Sequence, residues 1–183
     1  MNSLSFYKIA VTGLDFAGKS TILKRMILGR FIENQRATPS LDIELIEDRK
    51  TSSLFEVFDL SGQLNPRSLI WEPTVAYSEG IIFVIDSSSK DRVKEADTWF
   101  HNVLGWCKDN PVILFLINKI DLPDRLSQKE IIKALSLDQI PEDLKDRFKV
   151  FELSAKTGMG VKESFQWFME KVAELKTPHD VPY

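Results

Sequence analysis

The sequence has 183 residues, within the span of one domain (about 100–200 residues) and ample for one hydrophobic core. Hydrophobic residues make up 43% and charged residues 28%, and the net charge of −3 argues against a dedicated nucleic-acid surface. The single cysteine, Cys107, excludes an intrachain disulfide and fits a reducing compartment.

Met1–Ser5 leads directly into the apolar-rich stretch Phe6–Thr12, which reads as a buried strand and leaves no room for a signal peptide. Next comes Gly13-Leu14-Asp15-Phe16-Ala17-Gly18-Lys19-Ser20, with two glycines five apart followed by Lys and Ser, the spacing of a phosphate-binding loop. Thr21–Leu28 carries Ile22, Leu23, Met26 and Ile27 at helical spacing, and Gly29 is a natural stop. The polar run to Ser40 shows no periodicity. Leu41–Glu47 and Leu54–Phe58 flank the polar turn Asp48–Ser52 and read as a hairpin.

Gly80–Asp86 and Val112–Ile117 are continuous apolar runs, expected of central strands covered on both faces. Between them Arg92–Lys108 reads as a helix with Val93, Ala96, Trp99, Phe100, Val103 and Leu104 on one face. Cys107, in that pattern, reads as a half-buried apolar residue rather than a nucleophile. Ser127 and Glu130 stand in capping-box relation before a short helix; Lys149–Leu153 is a last strand, and Val161–Leu175 a last helix. The alternation predicts an α/β fold: a doubly wound, mostly parallel six-stranded sheet with helices on both faces and one antiparallel edge strand. One domain is expected over residues 1–176, with 177–183 a frayed tail. No apolar run approaches the ~18 residues of a membrane span.

In such sheets, ligands bind at the carboxyl ends of the strands, and the chemistry-bearing residues fall there. Backbone N–H groups of Gly13–Thr21 and the helix N-terminus would cradle phosphate, with Asp15, Phe16 and Ala17 in the loop. Lys19 would reach the β- and γ-phosphates and the Ser20 hydroxyl would ligate Mg²⁺. After the hairpin, Asp59 can hold the water shell of Mg²⁺, the Gly62 N–H can contact a γ-phosphate, and Gln63 can orient an attacking water. Asn118-Lys119-Ile120-Asp121 follows the Val112–Ile117 strand. The Asp121 carboxylate can accept from the N1–H and 2-amino group of guanine, and adenine offers neither. The Lys119 stem can cover the base, and Ser154-Ala155-Lys156 can brace it from the other side.

These strings resemble the G motifs of small GTPases. Gly-Leu-Asp at 13–15, Asp86-Ser87 with Asp91-Arg92-Val93, Leu122-Pro123 and the short Ser40–Asp59 interval resemble the Arf/Arf-like/Sar family more specifically, over residues 6–175. The resemblance implies a GTP/GDP switch with bound Mg²⁺, slow hydrolysis accelerated by a GAP, GDP release by an exchange factor, and effectors read through switch I and switch II. It also implies Arf-like regulation of trafficking or membrane-linked processes. Two alternatives stand beside this reading: a guanine-nucleotide-binding interaction module with little hydrolysis, and a P-loop kinase or ATPase, which Asp121 and Ser154–Lys156 oppose.

The departures from the family are local. Pro39-Ser40 replaces the switch I Pro-Thr, so Ser40 is the expected Mg²⁺ ligand and Thr38 its rival. Ser61 replaces the first glycine of Gly-Gly-Gln, Phe16 stands where the family has a small residue, and Leu64–Trp71 matches switch II only loosely. Arg36 is a candidate cis arginine of the Gα type, set against a solvated loop arginine with the cation supplied by a GAP. The family's N-terminal amphipathic helix has no counterpart in the twelve residues before Gly13. Asn2 and the terminal Val181-Pro182-Tyr183 offer no acylation or prenylation signal. A cytoplasmic protein without a direct lipid anchor, recruited to membranes through a partner, is the expectation. Trp99 and Trp167 read as core, Trp71 as either packing or partner contact, and His101 and His179 have no metal or triad spacing.

Overall fold

The computed structural model describes residues 5–33 and 37–176, with the backbone alone for 64–68. Its strands are β1 (Ser5–Thr12), β2 (Leu41–Asp48), β3 (Ser53–Leu60), β4 (Gly80–Asp86), β5 (Val112–Asn118) and β6 (Phe148–Glu152). They form one sheet in the order β2-β3-β1-β4-β5-β6, antiparallel only between β2 and β3. All seven residues of β4 and of β5 are buried, because helices cover both faces there. The predicted doubly wound sheet with one antiparallel edge is the observed one.

The helices are α1 (Lys19–Leu28), α2 (Leu64–Ala76), α3 (Val93–Trp106), α4 (Gln128–Ala134) and α5 (Val161–Leu175). On one face, Ile22 and Leu23 of α1 and Phe165, Phe168 and Val172 of α5 pack on Tyr7, Ile9, Leu114 and Leu116. On the other, Trp71, Phe100, Val103 and Ile131 from α2, α3 and α4 pack on Phe83, Ile85, Phe115 and Ile117. Gly29, in the left-handed region, donates its N–H to Arg25 O at 2.9 Å and closes α1. The Ser127 hydroxyl accepts from the Glu130 N–H at 3.3 Å while the Glu130 carboxylate accepts from the Ser127 N–H at 2.8 Å, completing the predicted box before α4.

Helix α2 has no counterpart in the sequence reading, and it carries two prolines, Pro66 and Pro73, which disfavour a helix. Pro66 sits in the first turn, where no N–H is required; Pro73 removes one bond, to the carbonyl of the exposed Leu69. Trp71 settles the question left open for it. It is fully buried, packs edge-on against Trp99, and donates its indole N–H to Ser61 O at 2.9 Å, so it is a core anchor. Trp99 and Trp167 are half-buried against the two core clusters rather than inside them. The third helix starts one residue later than expected, after a 3-10 turn at Lys90–Arg92, and ends at Trp106. Cys107 caps it half-buried, and burial pushes its thiol up to about 12, so it remains protonated. No helix among the described residues is long and apolar enough to cross a membrane.

Candidate functional site

The loops after β1, β3, β5 and β6 open at one edge of the sheet, around a cavity of about 400 Å³. Asp15, Phe16, Gly18, Lys19, Ser20 and Thr21 line it together with Asn118, Lys119, Asp121, Ala155 and Lys156. Motifs more than a hundred residues apart in the chain therefore share one wall.

In the loop after β1 and the start of α1, Lys19 is buried and donates from Nζ to Gly13 O at 2.8 Å and Leu14 O at 3.0 Å. The backbone of Gly18 has φ 95°, and a Cβ there would sit 2.4 Å from Asn118 Nδ2, so the loop tolerates no side chain at that point. Phe16 also has a left-handed backbone, φ 61°, with its ring 77% exposed at the rim. That conformation is uncommon for a bulky residue and is a strain the loop must hold. Ala17 is buried beneath the loop; its N–H donates to Leu14 O and its carbonyl faces Asn118. The Asp15 N–H donates to Gly62 O at 3.1 Å, joining this loop to the one after β3. Gln63 is exposed on the cavity wall as the N-cap of α2, its N–H donating to Ser61 Oγ at 3.3 Å.

Three oxygen-bearing side chains converge beside Lys19. The hydroxyls of Ser20 and Thr38 share a hydrogen bond at 3.0 Å, and Thr38 Oγ1 lies 3.5 Å from Asp59 Oδ2. Asp59 is 3% exposed, and its Oδ1 has no hydrogen-bond partner among the described residues. Burial pushes its pKa above the usual carboxylate range, against the pull of the Ser20 hydroxyl and the Lys19 ammonium. An orphaned buried carboxylate oxygen beside two hydroxyls is a donor set suited to a hard cation. Of the two hydroxyls weighed in sequence, Thr38 is the one in this cluster. Ser40 is exposed and contributes its carbonyl, which accepts from the Ser61 N–H at 2.8 Å. Arg36 lies outside the described residues.

At the end of β5, Asn118 is buried and uses both atoms of its amide: Nδ2 donates to Ala17 O at 2.9 Å, and Oδ1 accepts from the Ala155 N–H at 3.1 Å. It ties the two loops together. Asp121 is exposed, and Ser154 Oγ, itself buried, donates to its Oδ1 at 2.6 Å. Lys119, with φ 66°, pairs through Nζ with Asp86 Oδ2 at 2.6 Å. Burial pushes the Asp86 carboxyl up, but hydrogen bonds from Lys119 and Ser88 outweigh it and hold its pKa below the usual range.

Sequence reading missed two participants outright. Phe31 and Ile32 supply an apolar wall of the cavity; their signal was an adjacent apolar pair in an otherwise polar loop. Asp86 and Arg92 were noticed only as part of a family pattern, and the structure bonds them to Lys119 and Asp15.

Fold and site define the class: a small P-loop GTPase. The pattern of the ADP-ribosylation factor family matches residues 2–172, and the chain belongs to that family. Among solved structures it is similar to the Arl6 BBS3 small GTPase from Trypanosoma brucei, determined with the bound nucleotide analogue GppNp. The two share 25% identity over 94% of this chain and 100% of that one, with a TM-score of 0.80. The protein is accordingly a GTP-binding switch that hydrolyses GTP, and the inert-module reading is not favoured.

Replacing Asn118 with Ala should remove the partner of the Ala17 carbonyl and of the Ala155 N–H. The unfolding free energy is expected to fall by about 1–3 kcal/mol for each group left unpaired, read by urea denaturation. No loss of stability would mean that the two loops are held together elsewhere.

Proposed function

We propose that the cavity binds GTP and GDP with the base at Asp121 and the phosphates on Gly13–Thr21. The observation that carries this reading is the 2.6 Å hydrogen bond from buried Ser154 to Asp121. It holds a carboxylate on the wall of the cavity that Lys19 also lines, which supports a role for Asp121 in accepting from the guanine N1–H and 2-amino group. Asn118 acts as the tie between loops, the Lys119 stem flanks the base, and Ala155 and Lys156 close the base end.

Ser20, Thr38 and Asp59 would hold Mg²⁺, with Thr38 preferred over Ser40 on the geometry of the cluster. The ion, when bound, supplies positive charge against the β- and γ-phosphates. Lys19 adds a second cation, the Gly62 N–H meets the γ-phosphate, and Gln63 orients the attacking water. Residues 37–40 and 61–76 form the two switch surfaces, where an exchange factor, a GAP and effectors would read the bound nucleotide. The protein works in the cytoplasm as one domain over residues 1–176 and meets membranes through a partner.

Labelled GTP bound to the purified protein should be displaced by unlabelled GTP and not by ATP. Asp121→Asn should weaken GTP binding and admit xanthosine triphosphate, whose 2-oxygen needs a donor in place of an acceptor. Unchanged GTP preference in that variant would place base recognition elsewhere.

Single-turnover hydrolysis should be slow, and slower still in Gln63→Leu, with Arg36→Ala near wild type because the transition-state cation comes from a GAP. An arginine of this kind accelerates hydrolysis by about 10³–10⁵. A loss in Arg36→Ala equal to that in Gln63→Leu would show that the arginine is built into the chain.

A further inference from the structure

The stretch from the end of β4 to the start of α3 bonds both to the loop after β5 and to the phosphate loop. Asp86 pairs with Lys119, and both the Ser87 hydroxyl and its N–H donate to Asn118 O, at 2.7 and 3.1 Å. At the end of the same segment lies Arg92, whose guanidinium grips Asp15 twice. Nη2 donates to Asp15 Oδ1 at 2.7 Å and Nη1 to Asp15 O at 3.1 Å. Its remaining edge, Nε and Nη2, is held by Glu95 Oε2 at 3.0 and 2.9 Å. The side chains of Arg92 and Asp15 are 29% and 31% exposed, so the pair is partly shielded from water.

We propose that Arg92 is a positioning residue for the phosphate loop, holding Asp15 so that the loop accepts a triphosphate. The inference rests on the guanine-nucleotide reading above. Two physical consequences follow from the grip. Asp15 is an anionic side chain on the wall of a cavity that must take up several negative charges, and Arg92 draws its carboxylate toward α3 and neutralises it. The second bond fixes the backbone of Asp15, whose own N–H carries Gly62 O at 3.1 Å. A Cβ at Gly62 would lie 2.3 Å from Asp15 N, so Gly62 packs directly on that peptide and its seat moves only if Asp15 moves. Gly62 is the residue placed at the γ-phosphate. Loss of Arg92 should therefore weaken the triphosphate more than the diphosphate. The planar fork matters: a lysine ammonium cannot hold a carboxylate, a backbone carbonyl and Glu95 in one plane.

The test uses the purified full chain, fluorescent GDP and a fluorescent non-hydrolysable GTP analogue, with dissociation constants measured for both. Wild type should bind both nucleotides. Arg92→Gln should reduce the triphosphate-to-diphosphate affinity ratio by about tenfold, the size of a coupling between directly bonded residues. In an Asp15→Asn background the carboxylate contribution is gone while the bond from Nη1 to Asp15 O remains, so the same Arg92→Gln change should lower the ratio by a smaller factor, about threefold. Should Arg92→Gln not fold, Arg92→Lys carries the same comparison, with a smaller drop expected. An equal drop with and without the Asp15 carboxylate, or no drop in either, overturns the proposal while leaving the guanine reading intact. Failure of wild type to bind guanine nucleotides at all would overturn both.

Discussion

The amide of Asn118 spans the two halves of the site, and their relative position depends on it. One side chain at the end of β5 donates to the carbonyl of Ala17 beneath the phosphate loop and accepts from the N–H of Ala155 in the loop after β6. An amide is the side chain that offers a donor and an acceptor on one rigid plane, which is what two loops presenting one carbonyl and one N–H require. Both bonds are buried, where an unpaired polar group is expensive, so the spacing between the loop after β1 and the loop after β6 is set by chemistry rather than by loop length. Gly18 completes the arrangement by leaving room for that amide.

Everything else in the site hangs from the sheet edge in similar fashion. Two strands buried along their length, β4 and β5, fix the origins of Asp86 and Asn118, which face each other in register. From Asp86 the chain passes to Lys119 on one side and, through Arg92, to Asp15 on the other. The cation side is organised by a cost rather than a bond. Asp59 is held in the interior with one oxygen unpartnered and its pKa raised by burial, and a divalent ion beside Ser20 and Thr38 would relieve that cost. The loop before β2 reaches this cluster through Thr38, and the loop after β3 meets the phosphate-loop backbone through Gly62, so on the proposed reading charge bound here would act on both loops at short range.

Much of this was legible in the sequence because Gly13–Ser20, Asn118–Asp121 and Ser154–Lys156 are local strings that sit directly after strongly apolar runs. The strands β4 and β5 announce themselves as unbroken runs of Ile, Val, Leu and Phe, and the α4 box is visible as Ser127 and Glu130. Helix α2 was not legible, since two prolines mask it and its anchor, Trp71, declares itself only through tertiary burial. Nor could spacing choose between Thr38 and Ser40: they flank Pro39 symmetrically, and only the fold of the loop brings one hydroxyl to Ser20. The grip of Arg92 on Asp15 joins residues 77 apart in sequence, beyond the reach of any periodicity.

The central claim is that one cavity reads guanine at one end and phosphate at the other. Its most direct test is to denature the purified protein and identify the released nucleotide by chromatography. The account predicts GDP or GTP in close to equimolar amount. An adenine nucleotide, or none together with no uptake of added GDP, would contradict it.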